Sequence, residues 1–315
     1  MNDLNKTLAT LLGVPLDLGA ENLGVDIGPN AFRYQHIIDK LASAGLDVTD
    51  MGDLTVGERK ELPVGNPRAK YLEEIVRVNE ELAGKTEQIV RDQHKAIILG
   101  GDHSVNLGAV SGASIALSGQ LGLIYFDAHG DMNTEATTLS GNIHGMHLAS
   151  LLGYGTPELK NLHGEQVKID KSNLLHIGGS DFDEAEWQFT QDEGLHMYTL
   201  LDVLSEGLRP LLQAIESLAS QVSNIWVSLD LDCIDQVYAP GAGMPNAKGL
   251  TYREIAVLAE YIGKTCNVIG IDVVEYNPLQ DVDNKTAELG IELIARFLGK
   301  NYSWYSNYMA HNKLS

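Results

Sequence analysis

The stretch Leu121-Gly-Leu-Ile-Tyr-Phe-Asp-Ala-His-Gly-Asp131 decides the fold. Its first six residues form a short apolar run, the mark of a strand buried on both faces, and the acids and histidine begin where the run stops. The same grammar recurs. Ala96–Leu99 leads into Gly100-Gly101-Asp102-His103, Ile225–Leu229 into Asp230-Leu231-Asp232, and Val268–Val274 into Glu275. In an open α/β sheet, ligands bind beyond the carboxyl ends of the strands, so four strand ends bearing acids or histidine imply one site. In an extended segment alternate side chains share a face, which would point Asp127, His129 and Asp131 together, and likewise Asp230 and Asp232.

Outward from these runs, strands are predicted at 8–14, 47–51, 96–99, 121–126, 173–177, 195–199, 225–229 and 268–274. Stretches of helical period lie between them at 29–44, 71–94, 104–117, 144–152, 183–191, 206–219, 251–262 and 285–298. This alternation predicts an α/β fold with a mainly parallel sheet between two helical layers. No repeat or linker divides residues 1–315, so a single domain is expected, with 301–315 a tail or an oligomer contact.

The 22 Lys and Arg residues against 43 Asp and Glu give a net charge of −21. No basic block is present to follow a phosphate backbone, which argues against nucleic acid. The acidity suits a solvated surface and also favours cationic substrates and divalent metals. Cys233 and Cys266 form neither a disulfide framework nor a CxxC motif, as expected in a reducing compartment. No apolar run approaches the roughly 18 residues of a membrane helix. Met1–Ala9 lacks the basic-then-apolar order of a signal peptide, so a cytoplasmic location is expected.

His103, Asp127, His129, Asp131, Asp230 and Asp232 offer four carboxylates and two imidazoles. An oxygen-rich set with some imidazole suits Mn²⁺ and related ions better than thiolate-loving metals. Two ions fit it better than one, and a bridging water that ionises near neutral pH makes metal-assisted hydrolysis the implied chemistry. Singly, each cluster has an ordinary reading: Asp102 or Ser104 can cap a helix, and Asp-x-Asp often ends an exposed strand. Their combination is specific. The segment Asn133–Met146, Asn-Thr-Glu-Ala-Thr-Thr-Leu-Ser-Gly-Asn-Ile-His-Gly-Met, is rich in hydroxyls and amides that suit a carboxylate, and its His144 suits proton delivery to a departing amine.

Four motifs resemble the ureohydrolase family, the dinuclear manganese enzymes that include arginase and agmatinase. They are Gly100-Gly-Asp-His-Ser104, Asp127-Ala-His-Gly-Asp131, Ser228-Leu-Asp-Leu-Asp232 and Val274-Glu-Tyr-Asn-Pro278. Weaker similarity runs from Gly13-Val-Pro15 through Gly249-Leu-Thr-Tyr-Arg-Glu254 to the last helix. The resemblance implies a three-layer α/β/α sandwich on an eight-stranded, mainly parallel sheet, two Mn²⁺ per subunit, and a homo-oligomer, trimeric or hexameric. Asn133-Thr134, Ser140-Gly-Asn142 and His144-Gly145 resemble the arginase branch. By that resemblance Asn133 and Ser140 bind the α-carboxylate of arginine with Asn142 alongside, and Asp183, with Glu186, meets the α-ammonium. Glu275 pairs with the guanidinium, Asp131 also hydrogen-bonds the bridging hydroxide, and His144 is the proton shuttle.

Departures from the family pattern are Cys233 and Gln236 after the Asp-x-Asp pair, Ser180 where arginine is frequent, and Met244 where arginases commonly carry threonine. Cys233 should point away from the face of Asp230 and Asp232. A thioether at 244 cannot supply a hydroxyl to substrate. The expected activity is hydrolysis of L-arginine to L-ornithine and urea by attack of a metal-bridging hydroxide. Agmatine, formiminoglutamate or another guanidino or amidino compound is the alternative substrate, and a non-catalytic metal-binding protein the alternative class.

Overall fold

The computed structural model describes residues 7–301. Its strands are β1 (Thr7–Val14), β2 (Leu46–Asp53), β3 (Gly65–Asn66), β4 (Ala69–Lys70), β5 (Lys95–Gly100), β6 (Gly122–Phe126), β7 (Leu174–Ile177), β8 (Met197–Tyr198), β9 (Ile225–Asp230) and β10 (Val268–Val274). Eight of them form one sheet in the order β2-β1-β5-β10-β9-β6-β7-β8. Every pairing within that sheet is parallel. The remaining two, β3 and β4, form a small antiparallel hairpin that the sequence reading did not include.

The helices are α1 (Gly28–Tyr34), α2 (Ile37–Ser43), α3 (Leu72–Arg91), α4 (Asn106–Ala116), α5 (His147–Leu151), α6 (Pro157–Lys160), α7 (Glu184–Asp192), α8 (Leu200–Glu206), α9 (Arg209–Gln221), α10 (Tyr252–Thr265) and α11 (Lys285–Phe297). They cover the sheet on both sides, and alternation along each strand assigns side chains to one layer or the other. Ile97, Leu99, Ile124 and Phe126 pack into a core with residues of α1, α2, α9, α10 and α11. Ile98, Leu123 and Tyr125 face the opposite core, built from α3, α4 and α5. Both faces of the central strands β5, β6, β9 and β10 are therefore buried, which is why they read as continuous apolar runs, whereas the edge strand β2 alternates. On α3, Ile75, Val78, Leu82 and Ile89 recur at helical spacing and are all buried.

Three helical expectations change. The single helix expected over 29–44 is two, α1 and α2, because His36 adopts a left-handed conformation at φ 58° and interrupts the hydrogen-bond ladder. The helix expected over 206–219 begins at Arg209, and α8 precedes it. Gly207, at φ 72°, separates the two, while Thr199 and Asp202 cap α8 reciprocally. The stretch 144–152 starts as a 3-10 turn, Ile143–Gly145, and continues as the short α5. The tail 302–315 lies outside the described residues.

Sheet order is what positions the site. β5, β10, β9 and β6 are consecutive neighbours although β9 and β10 come much later in the chain. Their carboxyl ends deliver His103, Glu275, Asp230 and Asp127 side by side.

Candidate metal centre and substrate cavity

His103 sits on a 3-10 turn directly after β5. Asp102 pins this turn by accepting hydrogen bonds from the backbone N–H of Ser104 at 3.0 Å and of Gly19 at 2.7 Å. Burial, reinforced by the charge of Glu275, pushes the Asp102 carboxyl up to about 6. The His103 ring is oriented from behind. Ser228 Oγ donates to Asp272 Oδ1 at 2.6 Å, so it receives His103 Nε2–H at 2.9 Å and leaves Nδ1 to face the acids. Asp272 is fully buried and also accepts hydrogen bonds from Asn106 and Trp226.

Around His103 Nδ1 lie Asp127 Oδ2 at 2.9 Å, Asp230 Oδ2 at 3.2 Å and Asp131 Oδ2 at 3.3 Å. The other oxygen of Asp127 faces the second histidine, with His129 Nδ1 3.4 Å from Asp127 Oδ1 and 3.0 Å from Asp232 Oδ2. Asp127 thus presents one oxygen to each side, the arrangement of a carboxylate able to bridge two cations.

The convergence has a different cause from the expected one. Asp127, His129 and Asp131 are not alternate residues of a strand, because β6 ends at Phe126. A loop carries them, and Asp131 itself is left-handed at φ 52°. Asp232 likewise lies on a 3-10 turn, Leu231–Cys233, beyond β9. Such strain in a non-glycine residue costs of order 1–3 kcal/mol and persists where the surroundings enforce it. Here His129 N–H donates to Asp127 Oδ1 at 2.6 Å, Ala128 N–H to Asp232 Oδ1 at 3.2 Å, and Asp232 N–H to Asp230 Oδ1 at 2.8 Å. Cys233 points into the apolar core, as its position predicts.

The electrostatics suit divalent cations. Burial raises the carboxyls of Asp131 and Asp230 well above the usual range, and neighbouring carboxylate charge adds to it. Burial would also raise Asp127, but hydrogen bonds from His103 and His129 hold it well below that range. Four buried acids against two imidazoles leave an excess of negative charge in a dry site, which a cation relieves. The donors meet in three groups that can each hold an ion: His103, Asp127 and Asp230; Asp127, His129 and Asp232; and His103, Asp131 and His147.

Above these donors opens a cavity of about 300 Å³. His129, Asp131, Asp230 and Asp232 line its metal side, and Asn133, Ser140, Asp183 and Glu186 line its polar wall. His144 and Glu275 also reach it, with His144 Nδ1 3.3 Å from Glu275 Oε1. Burial alone would lower the His144 imidazole, but the hydrogen bond and charge of Glu275 outweigh it and hold the ring at about 9. Asp183 caps α7 and accepts a hydrogen bond from Asn133 Nδ2 at 3.1 Å. The Glu186 carboxylate accepts the backbone N–H of Asp183 at 3.0 Å and of Met132 at 3.1 Å, so its geometry holds the wall together. Asn142 is not among the cavity-lining residues; its Oδ1 accepts from Lys70 Nζ at 3.2 Å. The adjacent Gly141, at φ 78°, is required because a Cβ there would collide with Pro67 O. Of the departures, Met244 lines the cavity, whereas Ser180 Oγ accepts from Asn246 Nδ2 at 2.8 Å.

Sequence reasoning passed over Tyr125, His147, His176 and Asp272. Tyr125 hydroxyl lies within 3.1 Å of donor atoms of His103, Asp127, Asp131 and His147. His176 Nε2 donates to His129 O at 2.7 Å and fixes that loop. The available signals were a tyrosine two residues before Asp127 and an aspartate within the apolar run of β10.

The Arginase family model matches residues 8–299. The arginase of Bacillus caldovelox is 38% identical over 293 residues, covering 92% of this chain and 98% of its own. The native structure of that organism's arginase at pH 5.6 superposes with a TM-score of 0.89 at 36% identity, over 95% of this chain and 100% of the other. Entamoeba histolytica arginase in complex with L-ornithine superposes with a TM-score of 0.85 at 28% identity, over 94% and 100%. These likenesses extend over nearly the full chain: the chain belongs to the arginase family of ureohydrolases.

Proposed function

We propose that the protein hydrolyses the guanidinium of L-arginine to L-ornithine and urea with two Mn²⁺ held by His103, Asp127, His129, Asp131, Asp230 and Asp232. The observation that carries this reading is that those donors share one cavity of about 300 Å³ with a polar wall suited to an amino acid's carboxylate and ammonium. The arginases of Bacillus caldovelox and, with L-ornithine, of Entamoeba histolytica lend it support.

Ions bound there supply a water that ionises near neutral pH and charge to stabilise the tetrahedral centre. The chain's own groups do the rest. Asn133 and Ser140 donate to the α-carboxylate, and Asp183 pairs with the α-ammonium. Glu275 pairs with the guanidinium and fixes its carbon for attack, since a guanidinium is a weak electrophile and orientation contributes much of the rate. Asp131 accepts a proton of the attacking water. The bond from that carbon to the side-chain nitrogen then breaks, and His144, held protonated by Glu275, delivers a proton to the leaving amine.

The same reading makes the protein a cytoplasmic homo-oligomer, trimeric or hexameric, acting on a small cationic guanidino substrate. Its cytoplasmic part is supported by the unpaired Cys233 and Cys266, which suit a reducing compartment, and its oligomeric part by the resemblance to the ureohydrolase family. Chelation tests the chemistry: urea production from L-arginine should vanish in metal-free protein and return with Mn²⁺, and undiminished turnover without metal would contradict it.

A further inference from the structure

His147 is fully buried and has no part in the proposed reaction or its six ligating residues. Its Nδ1 lies 2.6 Å from the carbonyl oxygen of His144, which can only accept, so the proton of the neutral ring resides on Nδ1. Nε2 then offers a lone pair. Its neighbour is the Tyr125 hydroxyl at 3.0 Å, which also faces Asp127 Oδ2 at 3.0 Å, His103 Nδ1 at 3.1 Å and Asp131 Oδ2 at 2.6 Å.

A phenol has one hydrogen to donate. Two of the four approaches, the shortest among them, are to carboxylate oxygens, and charge-assisted hydrogen bonds are the stronger ones, so the proton goes to Asp131 or Asp127 rather than to a histidine. His147 Nε2 is left as a buried acceptor facing an oxygen with nothing to give it. A cation satisfies it. One ligand atom from each of His103, Asp131 and His147 lies within 4.8 Å of the others, with His147 Nδ1 3.7 Å from Asp131 Oδ2, and His147 Nε2 shares the Tyr125 oxygen as a neighbour with His103 Nδ1 and Asp131 Oδ2, so a ring that keeps its Nδ1–H on the carbonyl turns Nε2 toward the same ion.

On the two-ion reading above, we propose that His147 is a seventh ligating residue, giving the ion on the His103 side a second imidazole. Imidazole favours Co²⁺, Zn²⁺ and other later divalent metals more strongly than Mn²⁺. This position is therefore biased toward a later metal, and the His129 side, with one imidazole, is less so. The arrangement also explains the Nδ1 contact of His147 with a backbone carbonyl: the carbonyl fixes the tautomer that ligation requires.

The test is metal binding by the full chain. Metal-free parent, His147→Ala and Tyr125→Phe proteins are titrated with Co²⁺ and with Mn²⁺, bound metal is counted by elemental analysis, and the visible spectrum of bound Co²⁺ is recorded. The parent should take up two ions. His147→Ala should lose about 10-fold or more in Co²⁺ affinity for one of them, lose less for Mn²⁺, and change the Co²⁺ spectrum. Tyr125→Phe removes the hydroxyl and keeps the nitrogen, so it should retain the preference for Co²⁺. An unchanged affinity ratio and spectrum in His147→Ala would overturn the proposal, as would equal losses in both variants, which would reveal a hydrogen-bond network instead. Should His147→Ala not fold, nitrogen NMR of the parent decides: Zn²⁺ should shift the His147 Nε2 resonance together with those of His103 and His129, and an unmoved His147 would refute ligation alone. A parent that binds no divalent ion would overturn the two-ion reading itself.

Discussion

Glu275 Oε1 accepts the backbone N–H of His103 at 3.0 Å and lies 3.3 Å from His144 Nδ1. One carboxylate therefore ties the turn that carries a candidate metal ligand to the histidine proposed to deliver the proton. Glu275 is held left-handed at φ 58°, and its own backbone N–H donates to Gly101 O at 2.8 Å, so the residue is fixed from both ends.

This contact sets the protonation of His144. The folded ring is raised to about 9, above the unfolded value near 6.5. Its contribution to stability is therefore fully present below about pH 6.5 and is lost as the pH rises through 9. In metal-free protein, NMR titration of His144 should give a midpoint near 9, and Glu275→Gln, which keeps an acceptor for His103 N–H but removes the charge, should move it down. A midpoint unchanged by that substitution would contradict the pairing.

Orientation of His103 depends on Asp272 through Ser228. Asp272→Asn introduces an amide that can donate to Ser228, reversing the chain so that the hydroxyl donates to His103 Nε2 and the ring proton moves to Nδ1, the atom that faces the cation. This substitution is expected to weaken divalent-metal affinity by about 10- to 100-fold, and Ser228→Ala to weaken it too. Titration calorimetry checks this; parent-like affinity in Asp272→Asn would exclude the relay.

Asp183 discriminates between substrates. It is proposed to meet an α-ammonium that arginine has and agmatine lacks, so Asp183→Ala should reduce kcat/KM for arginine by about 10- to 100-fold more than for agmatine. Equal losses on both substrates would remove Asp183 from substrate recognition.

Two histidines provide a contrast. His129→Ala should abolish most activity. His163 is engaged instead with Glu80 and Glu87, at 3.4 and 2.8 Å, so His163→Ala should leave turnover intact and cost about 1 kcal/mol or less in denaturant unfolding. Comparable losses of activity would refute this separation.

The central strands were legible because burial on both faces imposes uninterrupted apolar runs, and the runs of β5, β6, β9 and β10 ended where the chemistry began. Sheet order was not, since nothing local to β9 and β10 says that they insert between β5 and β6. Asp127, His129 and Asp131 were found by composition, but they converge through a loop in which Asp131 is left-handed rather than through strand alternation. Tyr125, His147 and Asp272 escaped because a single polar residue in an apolar stretch gains meaning from its partners, and the decisive ones are remote: His103 and His147 each lie 22 positions from Tyr125, and Ser228 lies 44 from Asp272. The break at His36 carried no glycine or proline to announce it, whereas Gly207 did signal the break before α9.

The most direct measurement is urea released from L-arginine and from agmatine, in parallel, by Mn²⁺-loaded protein with a chelated control. Strong turnover of arginine, little of agmatine and none after chelation is the predicted result. Preferential turnover of agmatine, or silence on both substrates, would contradict the assignment of arginine to this cavity.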